Sequence, residues 1–225
     1  RISSKIYSKK KKMNKLITID IFSDTICPWC YIGFNKLNLV LKNTSNSKFN
    51  VVWRPFQLNP EMPYEGMDRE LYLNSKFGSY KKAKLIYKHI EDEGKKNKIY
   101  FQFKKIKKTP NSFFSHKLLA FAHKKNKQTA VLELLFYKYF IEGSDIGNLN
   151  TLINVAKDAN IYDKYTENYI VSNKDNESLL NEEKQAKKIG INGVPCFIFN
   201  KEFILSGAQS KDNFAQIINS LNNYV

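Results

Sequence analysis

Cysteine is scarce in this chain, and the scarcity excludes a whole class of folds. Cys27, Cys30 and Cys196 are too few to staple 225 residues into a disulfide scaffold, and the 42% of hydrophobic residues can bury a core without one. Long apolar runs are missing as well. None approaches the roughly 18 to 20 residues that a membrane-spanning helix needs. Acid is in short supply, with 21 Asp and Glu against 37 Lys and Arg, for a formal charge of +16. Such a balance raises nucleic acid or an anionic membrane as partner. The lysines, however, are scattered among many Asn, Ile and Tyr, and no DNA- or RNA-reading motif accompanies them. Nucleic acid is therefore not an expected partner.

Residues 1 to 15 hold no acid, carry the run Lys9-Lys10-Lys11-Lys12 and include Met13. The hydrophobic segment of a secretory signal is absent there, whereas the basic, serine-containing composition suits an organelle transit peptide. Plastid or mitochondrial targeting is one expectation. A basic tail on a cytoplasmic protein, with a start at Met13, is the other.

Leu16 to Phe22 is a β-branched, nearly continuous apolar run, the pattern of a buried central strand. Ser23-Asp24-Thr25 breaks it, and Tyr31, Phe34, Leu37 and Leu41 then recur at helical spacing. Phe49 to Arg54 reads as a second strand, ended by Pro55 and Asn59-Pro60. From 61 to 189 strand-like alternation disappears, and helical periodicity predicts segments near 68–94, 112–125, 128–141, 148–158 and 176–189. After Gly190, Val194 to Phe199 and Glu202 to Ser206 form a hairpin around Asn200-Lys201, and an amphipathic helix capped by Ser210 follows. The reading is an α/β fold in which β-α-β (16–60) and β-β-α (190–225) are split by a large all-helical insertion (61–189). Strands divided in this way imply that the two ends of the chain meet in one sheet.

Cys27-Pro28-Trp29-Cys30 falls at the first strand-to-helix turn. A cysteine that caps a helix faces unpaired backbone N–H groups and the positive end of the helix dipole, which favour its thiolate. Cys27 is thus expected as an exposed nucleophile, and Cys30, one turn deeper, as the thiol that resolves a mixed disulfide. Pro28 suits the first helical turn. Trp29 offers a large apolar surface for substrate beside the reactive sulfur. Asp24, three residues ahead of Cys27, either assists proton transfer or shapes the turn. Cys196 reads as a small buried strand residue, or else as a second resolving thiol. A zinc site would need a fourth ligand from His89, His116, His123 or a carboxylate, and none has ligand spacing, so no metal is assigned.

In these residues the chain resembles the DsbA-like thioredoxin superfamily, and within it the FrnE-type subgroup. The resemblance is carried by Phe22 to Gly33, by Trp53 to Pro60, by Asn111-Ser112 with His116, by Tyr139-Phe140 through Asp145-Ile146, by Gly190 to Phe197, and by Ser206 to Gln209. It spans about residues 16 to 222. It implies a thioredoxin fold, a redox-active Cys27-Cys30 disulfide that exchanges with thiol- or disulfide-containing proteins or with glutathione, no tightly bound cofactor, and a cis Val194-Pro195 peptide beside the dithiol. The Val194 backbone would pair with an extended substrate. In the same resemblance His116 either faces the active-site groove or serves capping and packing. The related 2-hydroxychromene-2-carboxylate isomerases and kappa-class glutathione transferases hold glutathione in regions matching Asn59 and Gly207-Ala208-Gln209. Those relatives carry serine at the position of Cys27 and an acidic residue at that of Gln209, which weakens a glutathione-dependent transferase or isomerase reading against a thiol–disulfide oxidoreductase. A metal- or nucleic-acid-binding module on the same fold is the non-enzymatic alternative.

Overall fold

In the computed structural model, which describes residues 15–45 and 47–223, the apolar run after the basic tail becomes β1 (Lys15–Ser23), an inner strand of a four-stranded sheet. The targeting expectation for residues 1–15 falls almost wholly outside the described part. β1 pairs in parallel with β2 (Ser47–Pro55) by way of α1 (Pro28–Lys42), and antiparallel with β5 (Cys196–Phe199). β5 turns into β6 (Phe203–Ser206), and α9 (Lys211–Asn223) completes the chain, giving the order β2-β1-β5-β6. The two ends of the sequence do meet in one sheet, with Ile19 opposite Phe199 and Ile21 opposite Phe197.

Between β2 and β5 the chain is helical. It runs through α2 (Arg69–Phe77), α3 (Tyr80–Lys96), α4 (Phe113–Lys124), α5 (Gln128–Tyr137), α6 (Leu149–Asp158), α7 (Thr166–Val171) and α8 (Asn176–Lys188). The insertion is not wholly helical, because the two-residue strands β3 (Met67–Asp68) and β4 (Lys108–Thr109) pair across it. The single helix expected over 68–94 is two helices. Gly78, at φ 76°, ends α2, and the Ser79 hydroxyl accepts the Lys82 amide to start α3. The helix expected over 128–141 is regular only to Tyr137 and continues as a π-helical turn, Lys138–Glu142. α7, six residues long, is too short to show periodicity in sequence. β5 begins at Cys196 rather than Val194, and β6 at Phe203 rather than Glu202.

Period-two alternation sorts the sheet into two faces. Ile17, Ile19 and Ile21 point with Trp53, Phe197 and Phe199 toward α1 and α9, where the Phe197 and Phe214 rings lie 4.8 Å apart. The opposite face carries Phe22 and Cys196, which pack with Phe56, Ala186 and Ile191 from α8 and its flank. The first cluster continues without a break into the insertion, through Phe34, Leu118, Leu135, Phe136 and Ile170. Sheet and insertion are therefore separate in sequence but share one core.

β2 is an edge strand, and the insertion seals it. Gln128 at the start of α5 accepts the Trp53 amide at 2.9 Å and donates to the Trp53 carbonyl at 2.9 Å, so one side chain takes the place of a neighbouring strand. Replacing Gln128 with Ala leaves both backbone groups buried and unpaired. At about 1 to 3 kcal/mol for each such group, Gln128→Ala should cost roughly 2 to 6 kcal/mol in urea denaturation, and exchange at the Trp53 amide should accelerate. Unchanged stability and exchange would show that the edge is held by packing alone.

Candidate active site

The turn that ends β1 places the dithiol. Cys27 donates its amide to the Asp24 carbonyl at 3.1 Å, then caps α1 in an extended conformation, with Pro28 in the first turn. Its carbonyl accepts the amides of Cys30 at 3.1 Å and Tyr31 at 3.3 Å. The cis peptide Val194-Pro195 approaches from the other end of the chain, and Cys27 Sγ lies 3.8 Å from the Val194 carbonyl oxygen. Gly33 permits this closeness. A Cβ there would sit 3.1 Å from both the Pro195 ring and the Phe197 ring. The proline is fixed in turn, since its carbonyl accepts the Gly207 amide at 2.8 Å and Lys36 Nζ holds the Ala208 carbonyl at 3.3 Å.

The expectation of an exposed Cys27 is not met. Cys27 is 3% exposed and Cys30 1%, because both belong to the apolar core and Val194 lies against the first sulfur. Both are free thiols. Burial pushes Cys30 well above the ordinary thiol range, and Cys27 adds to that, while Ser23 and the Asp24 backbone pull weakly downward. Cys196 points to the opposite face of the sheet, away from the dithiol, which rules against a resolving role in this arrangement. Its thiol too is pushed up by burial, with Ser206 pulling it back in part.

Polar contacts from α4 brace the turn from below. Asp24, fully buried, accepts the Leu58 amide at 2.7 Å and the Ile26 amide at 3.4 Å, so its oxygens are occupied in shaping backbone. His116 Nε2 stands 3.4 Å from Asp24 Oδ1 without hydrogen-bond geometry. The Thr25 and Ser115 hydroxyls are 2.6 Å apart, and Ser115 donates to the Ser112 carbonyl at 2.7 Å. Thr25 and Ser115 carry no sequence signal of their own, since two isolated hydroxyls meet only through the fold. Trp29 is half-buried, its ring 5.9 Å from that of the exposed His89 on α3. Asn59 lies beyond this cluster, bonded to the Tyr72 hydroxyl at 3.1 Å and to Lys76 Nζ at 3.1 Å. Among the described residues no three His, Cys, Asp or Glu side chains group as metal ligands, and no helix is long and apolar enough to cross a membrane.

The raised thiols tie stability to pH. A folded chain that keeps protons which the unfolded chain releases is stabilised below the unfolded pKa, near 8.5 for cysteine, and loses that stabilisation above it. The melting temperature of the reduced protein should therefore fall from about pH 8.5 to 10, and less steeply in Cys30→Ala. Equal slopes would contradict the burial of Cys30 as a neutral thiol.

Comparison with known proteins agrees with this geometry. The family model described as the DSBA-like thioredoxin domain matches residues 18–219. The uncharacterized protein YwbO of Bacillus subtilis is 23% identical over 206 residues, 90% of this chain and 96% of its own. The crystal structure of the probable DsbA oxidoreductase SCO1869 from Streptomyces coelicolor superposes with a TM-score of 0.83 at 21% identity, covering 93% of this chain and 91% of that one. A putative protein disulfide isomerase from Nitrosomonas europaea gives 0.72 at 14% identity, covering 93% and 99%.

Proposed function

The chain belongs to the DSBA-like thioredoxin domain family, and from that premise we propose that it is a thiol–disulfide oxidoreductase working through Cys27 and Cys30. The observation that carries this reading is the placement of Cys27 at the N-terminus of α1, 3.8 Å from the Val194 carbonyl. At a helix N-terminus the unpaired backbone N–H groups face the end of the helix, the setting in which a nucleophilic cysteine is placed in this chemistry. The adjacent Val194 backbone offers a substrate strand main-chain hydrogen bonds that hold a disulfide against the nucleophile.

In the reducing direction the Cys27 thiolate attacks one sulfur of a substrate disulfide, forming a mixed disulfide and releasing the other sulfur as a thiolate, which takes up a proton. Cys30 then loses its proton and attacks Cys27 Sγ. This forms the Cys27-Cys30 disulfide and releases the second substrate thiol, so two electrons have passed to substrate. Burial of Cys30 keeps it protonated until the mixed disulfide is in place, which separates the two roles. Two molecules of glutathione, oxidised to their disulfide, would return the pair to the dithiol. In the oxidising direction the same steps run backwards.

Cys27→Ser should reduce insulin-disulfide reduction to the uncatalysed rate, whereas Cys30→Ser should accumulate mixed disulfides visible on non-reducing gels. Equal turnover in wild type and both variants would refute the assignment. Pro28 and Trp29 supply neither charge nor imidazole to stabilise a thiolate further. The reduction potential of the pair, equilibrated against glutathione, should accordingly be more negative than the roughly −120 mV of the strongest oxidants of this chemistry.

A further inference from the structure

Arg69, the first residue of α2, is a buried cation with no carboxylate paired to it among the described residues. It is 9% exposed, and its Nη1 donates to Thr109 Oγ1 at 3.0 Å. The guanidinium carbon lies 5.0 Å from the Tyr87 ring centre and 5.6 Å from that of Tyr72. Burial works against its charge, and the groups that offset burial are tyrosines: Tyr139, Tyr87 and Tyr72. On balance these groups outweigh burial and hold the guanidinium above its ordinary range, so aromatic faces and hydroxyls keep the charge in place inside the fold. The buried Tyr139 hydroxyl on the π-helical turn belongs to the same cluster, beside Thr109.

A cavity of about 760 Å³ opens in front of Arg69, within the size range of small-molecule sites. Tyr80, Tyr87, Phe103 and Leu73 wall it, and Lys84, Lys88, Lys104 and Lys107 stand around it. Three acids also line it, but Asp68 is committed to the Glu70 and Leu71 amides as the cap of α2, and Glu70 and Glu91 leave the lining net positive. An apolar wall, a fixed guanidinium fork at its base and exposed lysines outside match a single planar anionic group on an apolar body. We propose that this cavity binds a small organic carboxylate, with the carboxylate on Arg69 and the body against Tyr87 and Phe103. The site is distinct from the dithiol, neither cysteine being among the residues that line it. The proposal does not depend on the redox reading.

The test compares 2-naphthoate with its neutral isostere 2-naphthamide by calorimetry on the full reduced chain at low salt. The carboxylate should bind about tenfold more tightly than the amide, the order expected of one charge-assisted pair. Arg69→Met should abolish the difference. The exposed double variant Lys104→Glu/Lys107→Glu, which leaves the buried cluster intact, should weaken naphthoate several-fold. In wild type the Arg69 Nε–H resonance should shift on titration with naphthoate, a readout that needs no variant. Equal affinities for the two probes, or an Arg69 signal that naphthoate does not move, would overturn the assignment, and the wild-type signal and the rim variant decide it even if Arg69→Met does not fold.

Discussion

The start of α1 must be held against a peptide from the far end of the chain, and the rest of the structure serves that constraint. The pairing of β1 with β5, Phe22 opposite Cys196, brings Val194 and Pro195 beside the turn that carries Cys27. Such a contact has a large loop-closure cost, so it needs a core behind it. The core is supplied by Ile19 and Ile21 with Phe197, Phe199 and Phe214, all buried on the face that α1 and α9 cover. Gly33 lets α1 come close enough, and the Gly207 amide fixes the proline carbonyl from the other side.

The insertion completes this arrangement rather than standing apart from it. Tyr31, the residue after Cys30, stacks on Phe136 at 4.9 Å and lies edge-on to Phe101 at 6.0 Å, which locks the first turns of α1 into the helical block. From α4, Ser115 meets Thr25 and His116 lies beside Asp24, so the turn ahead of the dithiol is braced at Thr25 by a hydroxyl pair. Gln128 closes the edge of β2 by imitating a strand. A split in the sequence thus produces a joint in the structure, because each half buries surface that the other would leave wet.

Much of this was legible in the residue order. Strand β1, the helix after Cys27 and the terminal hairpin announce themselves by periodicity and by turn residues, which are local signals. Gly78 and Ser79 also carry a local signal for dividing α2 from α3, but the apolar periodicity on either side runs across them and hides the break. The burial of Cys27 was not legible, because it depends on Val194 from the far end of the chain and on the core assembled around the turn, and no local pattern encodes cover. Arg69 was missed for the same reason. In sequence it is one cation among 37, and only the fold gathers Tyr72, Tyr87, Thr109 and Tyr139 around it.

Burial of the dithiol has a consequence for reactivity. At 3% exposure Cys27 is covered, so in the proposed exchange its cover must move before a disulfide on another protein can reach the sulfur. The contact most easily exchanged is the one to Val194, because a thiol at 3.8 Å from a carbonyl is a weak donor and an incoming backbone amide is a stronger one. Cys30, by contrast, is held by the interior and has no such exchange open to it. A substrate strand that took the Val194 backbone would thereby uncover the first sulfur while leaving the second buried. The same fold that hides both thiols then distinguishes them, one by a replaceable contact and the other by a fixed one.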